Sequence, residues 1–235
     1  MRTSQRAMDS VGKEERRQAL LDAAEKLYLK HPDRMASVAE VAGAAGLAKG
    51  TVYLYFPSKE EMLLALHERH VASFFSALMR RLAQPGPLDF DDIFPVAREH
   101  IIRRAGYLAL ASRCFGMMDR EIPTEAALAF KARVAMVLSA AGAGLERHFA
   151  LPRGAGLAML MHSYSLMVGL WQLIHPNKRF GRAMERPELR ALDLDYEREI
   201  ERALRFLWAG ALEASRARAK PAAPKAGRKQ DLSER

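Results

Sequence analysis

The sequence predicts an all-α protein of about nine helices, and three observations predict it. Apolar residues recur at three- and four-residue intervals along most of the chain. The breaks between these runs carry the residues that end helices: His31-Pro32-Asp33, Gly46, Pro57, Pro85-Gly86-Pro87, Gly106, Pro123, Pro152 and Pro176. Strand-like alternation is scarce. With 49% of 235 residues apolar, a large core can be buried.

The first helix is expected over Lys13–Lys30, with Leu20, Ala24, Leu27 and Tyr28 on one face. Ser37 and Glu40 stand in the S-x-x-E arrangement of a capping box, so a short second helix starts there and runs to Ala45. Gly46 ends it, since glycine adopts the left-handed conformation at little cost. A third short helix lies within Leu47–Phe56 and stops at Pro57. Ser58 and Glu61 repeat the box and open a long helix to about Ala83, burying Met62, Leu63, Leu66, His70 and Phe74.

After the Gln84–Pro87 break, helices are expected over Asp92–Arg104, Tyr107–Met118, Thr124–Phe149, Gly154–Ile174 and Asp193–Ala217. The stretch Gly154–Ile174 is apolar nearly all round, so it must be covered on every side. The expected domains are 1–60, a helix-turn-helix head; 61–219, a larger helical body; and 220–235, a basic tail too poor in apolar residues to fold.

The net charge is +9, but most of the excess lies in the tail after Ala214, so charge by itself does not establish nucleic-acid binding. One cysteine, Cys114, rules out an internal disulfide and a cysteine-based zinc cluster. No eighteen-residue run reads as uniformly apolar and uncharged, and the N-terminal residues are polar; we expect no membrane span, no secretion and a cytoplasmic protein. Nucleotide-binding glycine patterns and nucleophile elbows are absent from the sequence, so no cofactor and no enzyme activity are implied. His67 and His70 are one turn apart without an evident third ligand, so a solvated face is expected and no metal.

Two short helices joined by Gly46-Leu47-Ala48 suggest a helix-turn-helix, whose final helix enters the major groove by its N-terminal residues. Lys49 can reach a phosphate or guanine, Gly50 permits close backbone approach, and Thr51 offers a hydroxyl and a methyl. Tyr53 and Tyr55 would present phenol hydroxyls to phosphate, while Val52 and Phe56 point inward.

The run SVAEVAGAAGLAKGTVYLYFPSKEEMLLAL, Ser37 to Leu66, resembles the DNA-binding signature of the tetracycline-repressor (TetR) family. That resemblance implies a transcriptional regulator, chiefly of the repressor kind, that binds palindromic operator DNA as a homodimer and is released by a small apolar or amphipathic effector. It assigns Ser37 a phosphate contact, and Ala48, Lys49, Gly50, Thr51, Tyr53, Leu54 and Tyr55 a recognition surface. Lys59 would hold a phosphate at a helix start. Ala48 departs from the hydroxyl residue common there and cannot cap the third helix.

The resemblance also implies dimerisation through the last two long helices and an effector cavity among the middle ones. The lining residues expected are Tyr107, Leu110, Arg113, Cys114, Met117, Met118, Phe130, Met136, His162 and Trp171, since aromatics with methionines suit an adaptable apolar pocket. An activator, or a nucleoid-type DNA binder without a ligand, shares the same N-terminal features.

Overall fold

The computed structural model describes residues 2–32, 34–175 and 186–219, and the side chains among them from 11 to 217. The tail expected at 220–235 lies outside the described residues. Among the described residues there is no strand. Nine α-helices follow in order: α1 (Arg2–Lys30), α2 (Val38–Ala44), α3 (Lys49–Tyr53), α4 (Lys59–Leu82), α5 (Phe90–Ala97), α6 (Tyr107–Met118), α7 (Thr124–Phe149), α8 (Ala155–Ile174) and α9 (Tyr196–Ala219). The all-α expectation and most helix limits agree with this order.

The head forms as its caps and apolar spacing require. Ser37 Oγ accepts from the Glu40 amide at 3.3 Å, and the Glu40 carboxylate accepts from the Ser37 amide at 2.8 Å. Such a cap contributes about 1 kcal/mol to a helix too short to persist alone. Gly46 takes φ 67° and turns the chain into α3. Ala48 at the start of α3 makes no side-chain cap. Leu20, Leu21 and Tyr28 of α1 pack on Val41 of α2, Val52 of α3, and Met62, Leu63 and Leu66 of α4.

At 24 residues, α4 is about 36 Å long and belongs to both cores. Its first half closes the head; its second half, from Val71 to Leu82, joins the body core of α5, α6, α7, α8 and α9. The single helix expected over Asp92–Arg104 divides into α5 and a π-helical turn, Arg98–Ile102, closed by Arg103 N–H to Arg98 O at 2.8 Å. Pro95 inside α5 lacks an amide to donate, which loosens the ladder just before the wider turn.

By length and mean hydropathy (1.4 and 1.3) α7 and α8 would pass as membrane spans. The two helices cross almost backbone to backbone. A Cβ added to Gly156 would stand 2.1 Å from the Gly142 carbonyl oxygen, and one added to Gly142 2.7 Å from the Leu157 amide. Gly156→Ala is therefore expected to destabilise the fold by about 2–3 kcal/mol, because the helices must separate. Urea unfolding measures this; a loss under about half a kcal/mol would mean that the two backbones do not meet there.

Candidate nucleic-acid interface and the cavity behind it

α3 carries Val52 inward at 0% exposure, with Phe56 beside it at 3%. The helix phase that buries Val52 turns Lys49, Gly50, Tyr53 and Leu54 outward, and all are exposed. Ser37 and Ala48 are also exposed, while Thr51, Tyr55 and Lys59 are half-buried. Tyr55 packs partly against the head core and is less exposed than Tyr53. Lys59 opens α4 with its ammonium 3.6 Å from Glu60. Gly50 has a helical backbone, and an added Cβ would meet nothing within 4 Å. Glycine in a helix costs about 0.5–1 kcal/mol relative to alanine, and no packing among the described residues requires it there. Beside α2, Arg34 chelates Glu40; its guanidinium, together with the Ser37 bonds, draws that carboxyl down to about 2.

Behind the head, Glu25 of α1 is a hub. It accepts from Arg69 and His70 of α4 at 2.7 and 2.9 Å, and from Arg104 at 2.8 Å. Burial raises its pKa, but the bonds and charges of Arg104 and His70 outweigh this and hold it below the ordinary value. His67, expected on a solvated face, is instead 3% exposed, and His70, which the apolar stripe of α4 placed inward, is 4% exposed, because this face of α4 is covered by α1, α6 and α7. Burial drives both pKa values down, His67 to about 3, so both rings are neutral near pH 7. Tyr107 joins them, stacked on His70 at 5.7 Å and edge-on to His67 at 5.6 Å. Among the described residues no group of three or more His, Cys, Asp or Glu is placed to hold a metal.

His67 and Tyr107 form one end of a cavity of about 540 Å³ that runs through the body between α4, α5, α6, α7, α8 and α9. Its walls are aromatic and aliphatic: Phe74 and Phe75 from α4, Phe90 and Phe94 from α5, Val134 and Leu138 from α7, Leu160 and Tyr164 from α8, and Trp208 from α9. At the rim stand exposed Phe115, Lys131, Ala135 and Met161.

Of the expected lining residues, Tyr107, Met118 and Phe130 face this cavity. The other seven do not line it. Leu110, Cys114 and Met117 belong to the core shared with the head; the Cys114 thiol donates to Leu63 O and burial pushes it up to about 12. Arg113 bonds the Pro32 carbonyl at 2.8 Å and lies over the Tyr28 ring. Met136 and His162 are exposed, and Trp171 stacks on His175 at 5.0 Å. For Leu110, Cys114 and Met117 the reason is that helical periodicity finds apolar residues but not which of two cores they enter. The sequence reading also missed the α4 and α5 walls, although Phe74, Phe75, Phe90 and Phe94 were the available signal.

An exposed short helix after a tight turn, carried by a helical body with an apolar cavity, is the architecture of a helix-turn-helix regulator. Residues 20–66 match the family described as bacterial regulatory proteins, tetR family, and residues 68–215 match the tetracyclin repressor-like C-terminal domain. The chain belongs to the TetR family. It is 38% identical over 85 residues to the transcriptional repressor LfrR of Mycolicibacterium smegmatis, covering 35% of this chain and 43% of LfrR. It is 36% identical over 81 residues to the transcriptional regulator EthR of Mycobacterium tuberculosis, covering 34% of this chain and 38% of EthR. The chain thus spans less than half of either relative. In fold it is similar to the fatty acid degradation regulator FadR of Bacillus halodurans, with TM-score 0.50 and 19% identity, covering 82% of this chain and 94% of that one.

Proposed function

We propose that the chain is a ligand-responsive repressor that binds a palindromic operator as a homodimer in the cytoplasm and is released by a small, largely apolar effector. The observation that carries this reading is the outward face of α3, where Lys49, Gly50, Tyr53 and Leu54 stand exposed among the described residues. Gly50 gains a purpose when a DNA backbone approaches it closely, and Ser37 and Lys59 suit flanking phosphates.

The dimer is supported by apolar side chains left uncovered on the last two helices. Met161 is 52% exposed and Leu173 58% on α8, and Phe206 70% on α9. A two-fold axis through these helices gives self-complementary contact and sets two α3 helices toward two half-sites. The effector site is the cavity. Tyr107, at its inner end, stacks on His70, and His70 holds Glu25 of α1, so a ligand that moves Tyr107 acts on the head directly. Only about 1–3 kcal/mol of differential affinity is needed for such coupling.

Fluorescence anisotropy against the promoter region beside the protein's own gene, at moderate salt, tests the reading. Saturable binding of two chains to one palindromic site, resistant to competitor DNA, is expected. Weak binding to any DNA, abolished by salt, would replace the repressor with a non-specific binder.

A further inference from the structure

We propose that the ligand of this cavity is an elongated apolar molecule whose one buried polar group is an uncharged oxygen, a carbonyl or hydroxyl, held between His67 and Tyr164. This rests on the reading of the cavity as the effector site and names the chemistry it accepts.

Two polar atoms in the wall lack partners. His67, 3% exposed, leaves Nδ1 buried without a hydrogen bond. The Tyr164 hydroxyl is likewise buried without a partner of good geometry, next to the hydroxyl of Tyr107. Buried polar groups in folded chains are nearly always bonded, and each unpaired one destabilises the fold, so two in one cavity wall mark where a ligand atom belongs. By contrast, the other buried polar side chain of the wall, Ser163, is occupied: Trp208 Nε1 donates to its hydroxyl at 3.0 Å.

The protonation states decide the charge of that ligand atom. His67 is neutral, its pKa pushed down to about 3 chiefly by burial, and Tyr164 is kept protonated, again by burial. Among the described residues no Asp or Glu lines the cavity, and the one Lys or Arg in its wall, Lys131, stands exposed at the rim. A carboxylate or ammonium beside His67 would be desolvated without a counter-charge, whereas a neutral oxygen can accept from the Tyr164 hydroxyl and from an imidazole N–H. The length follows from α4. His67 to Phe75 is about 12 Å of apolar wall, and beyond it the cavity reaches Phe90 and Trp208.

The test uses the full chain and four probes sharing one skeleton: pentylbenzene, valerophenone, phenylvalerate and phenylpentylamine. Trp208 fluorescence and the melting temperature report binding, and the operator complex reports release. Valerophenone is expected to bind about tenfold or more tighter than the other three, the advantage of one or two hydrogen bonds to otherwise unpaired groups. His67→Phe and Tyr164→Phe should each reduce the ratio of ketone to pentylbenzene affinity; circular dichroism confirms folding. The proposal is overturned if a charged probe binds as tightly as the ketone, or if both variants keep the preference. Binding of pentylbenzene without preference for the ketone sinks this inference alone. If no probe binds and none releases the operator, the effector reading fails with it.

Discussion

Replacing Lys49 and Tyr53 together with alanine is expected to abolish specific operator binding while the chain keeps its helical content and its dimer. Both side chains are solvent-facing on a helix whose anchoring is done by Val52 and Phe56, so the fold does not depend on them. Exposed substitutions of this kind usually change stability by less than about 0.5 kcal/mol. Each lost base or phosphate contact weakens DNA binding by about 1–3 kcal/mol, and the two together by roughly thirtyfold to twenty-five-thousandfold. Val52→Ala is the contrasting control: it should lower stability first and DNA binding only as a consequence. If the double variant unfolds, or if it still binds a specific site normally, α3 does not read DNA by this face.

The second large effect is on pH. His67 and His70 are buried neutral with folded pKa values below the unfolded value of 6.5. Between the two values the unfolded chain binds more protons than the folded one, so stability is fully present above about pH 6.5 and falls as the pH drops. Each histidine removes up to about 1.4 kcal/mol per pH unit within its window, which for His67 extends from 6.5 to about 3. Glu25 has its folded pKa depressed, so it adds a loss in the same direction, but only below its unfolded value of 4.5. Melting temperatures of the wild type and His67→Phe between pH 7.5 and 5 separate the terms, because the carboxylate contributes little there. The variant should show a distinctly shallower decline. Equal slopes would mean that His67 is hydrated or protonated in the folded protein.

Much of the head could be read from residue types alone, since its structure is local. The S-x-x-E box at Ser37 and the positive φ at Gly46 depend on neighbours a few residues away, and both appear as expected. The same holds for Val52 and Phe56, whose burial follows from the phase of one short amphipathic segment. Tyr55 shows where that reasoning ends. Its partial burial depends on how α3 seats on the rest of the head, which periodicity does not encode.

The cavity depends on long-range packing. α6 carries one apolar stripe, and only the placement of α1, α4 and α7 determines that Leu110 and Cys114 enter the head core while Tyr107 and Met118 reach the cavity. The pairing of His70 with Glu25 joins residues far apart in sequence, and no spacing rule anticipates it. Sequence by itself determined the helices, their caps and the outward face of α3, because hydrogen bonding and amphipathic phase act over a few residues. The tertiary structure alone decided which polar atoms lost their water, since desolvation is imposed by every helix that packs around them.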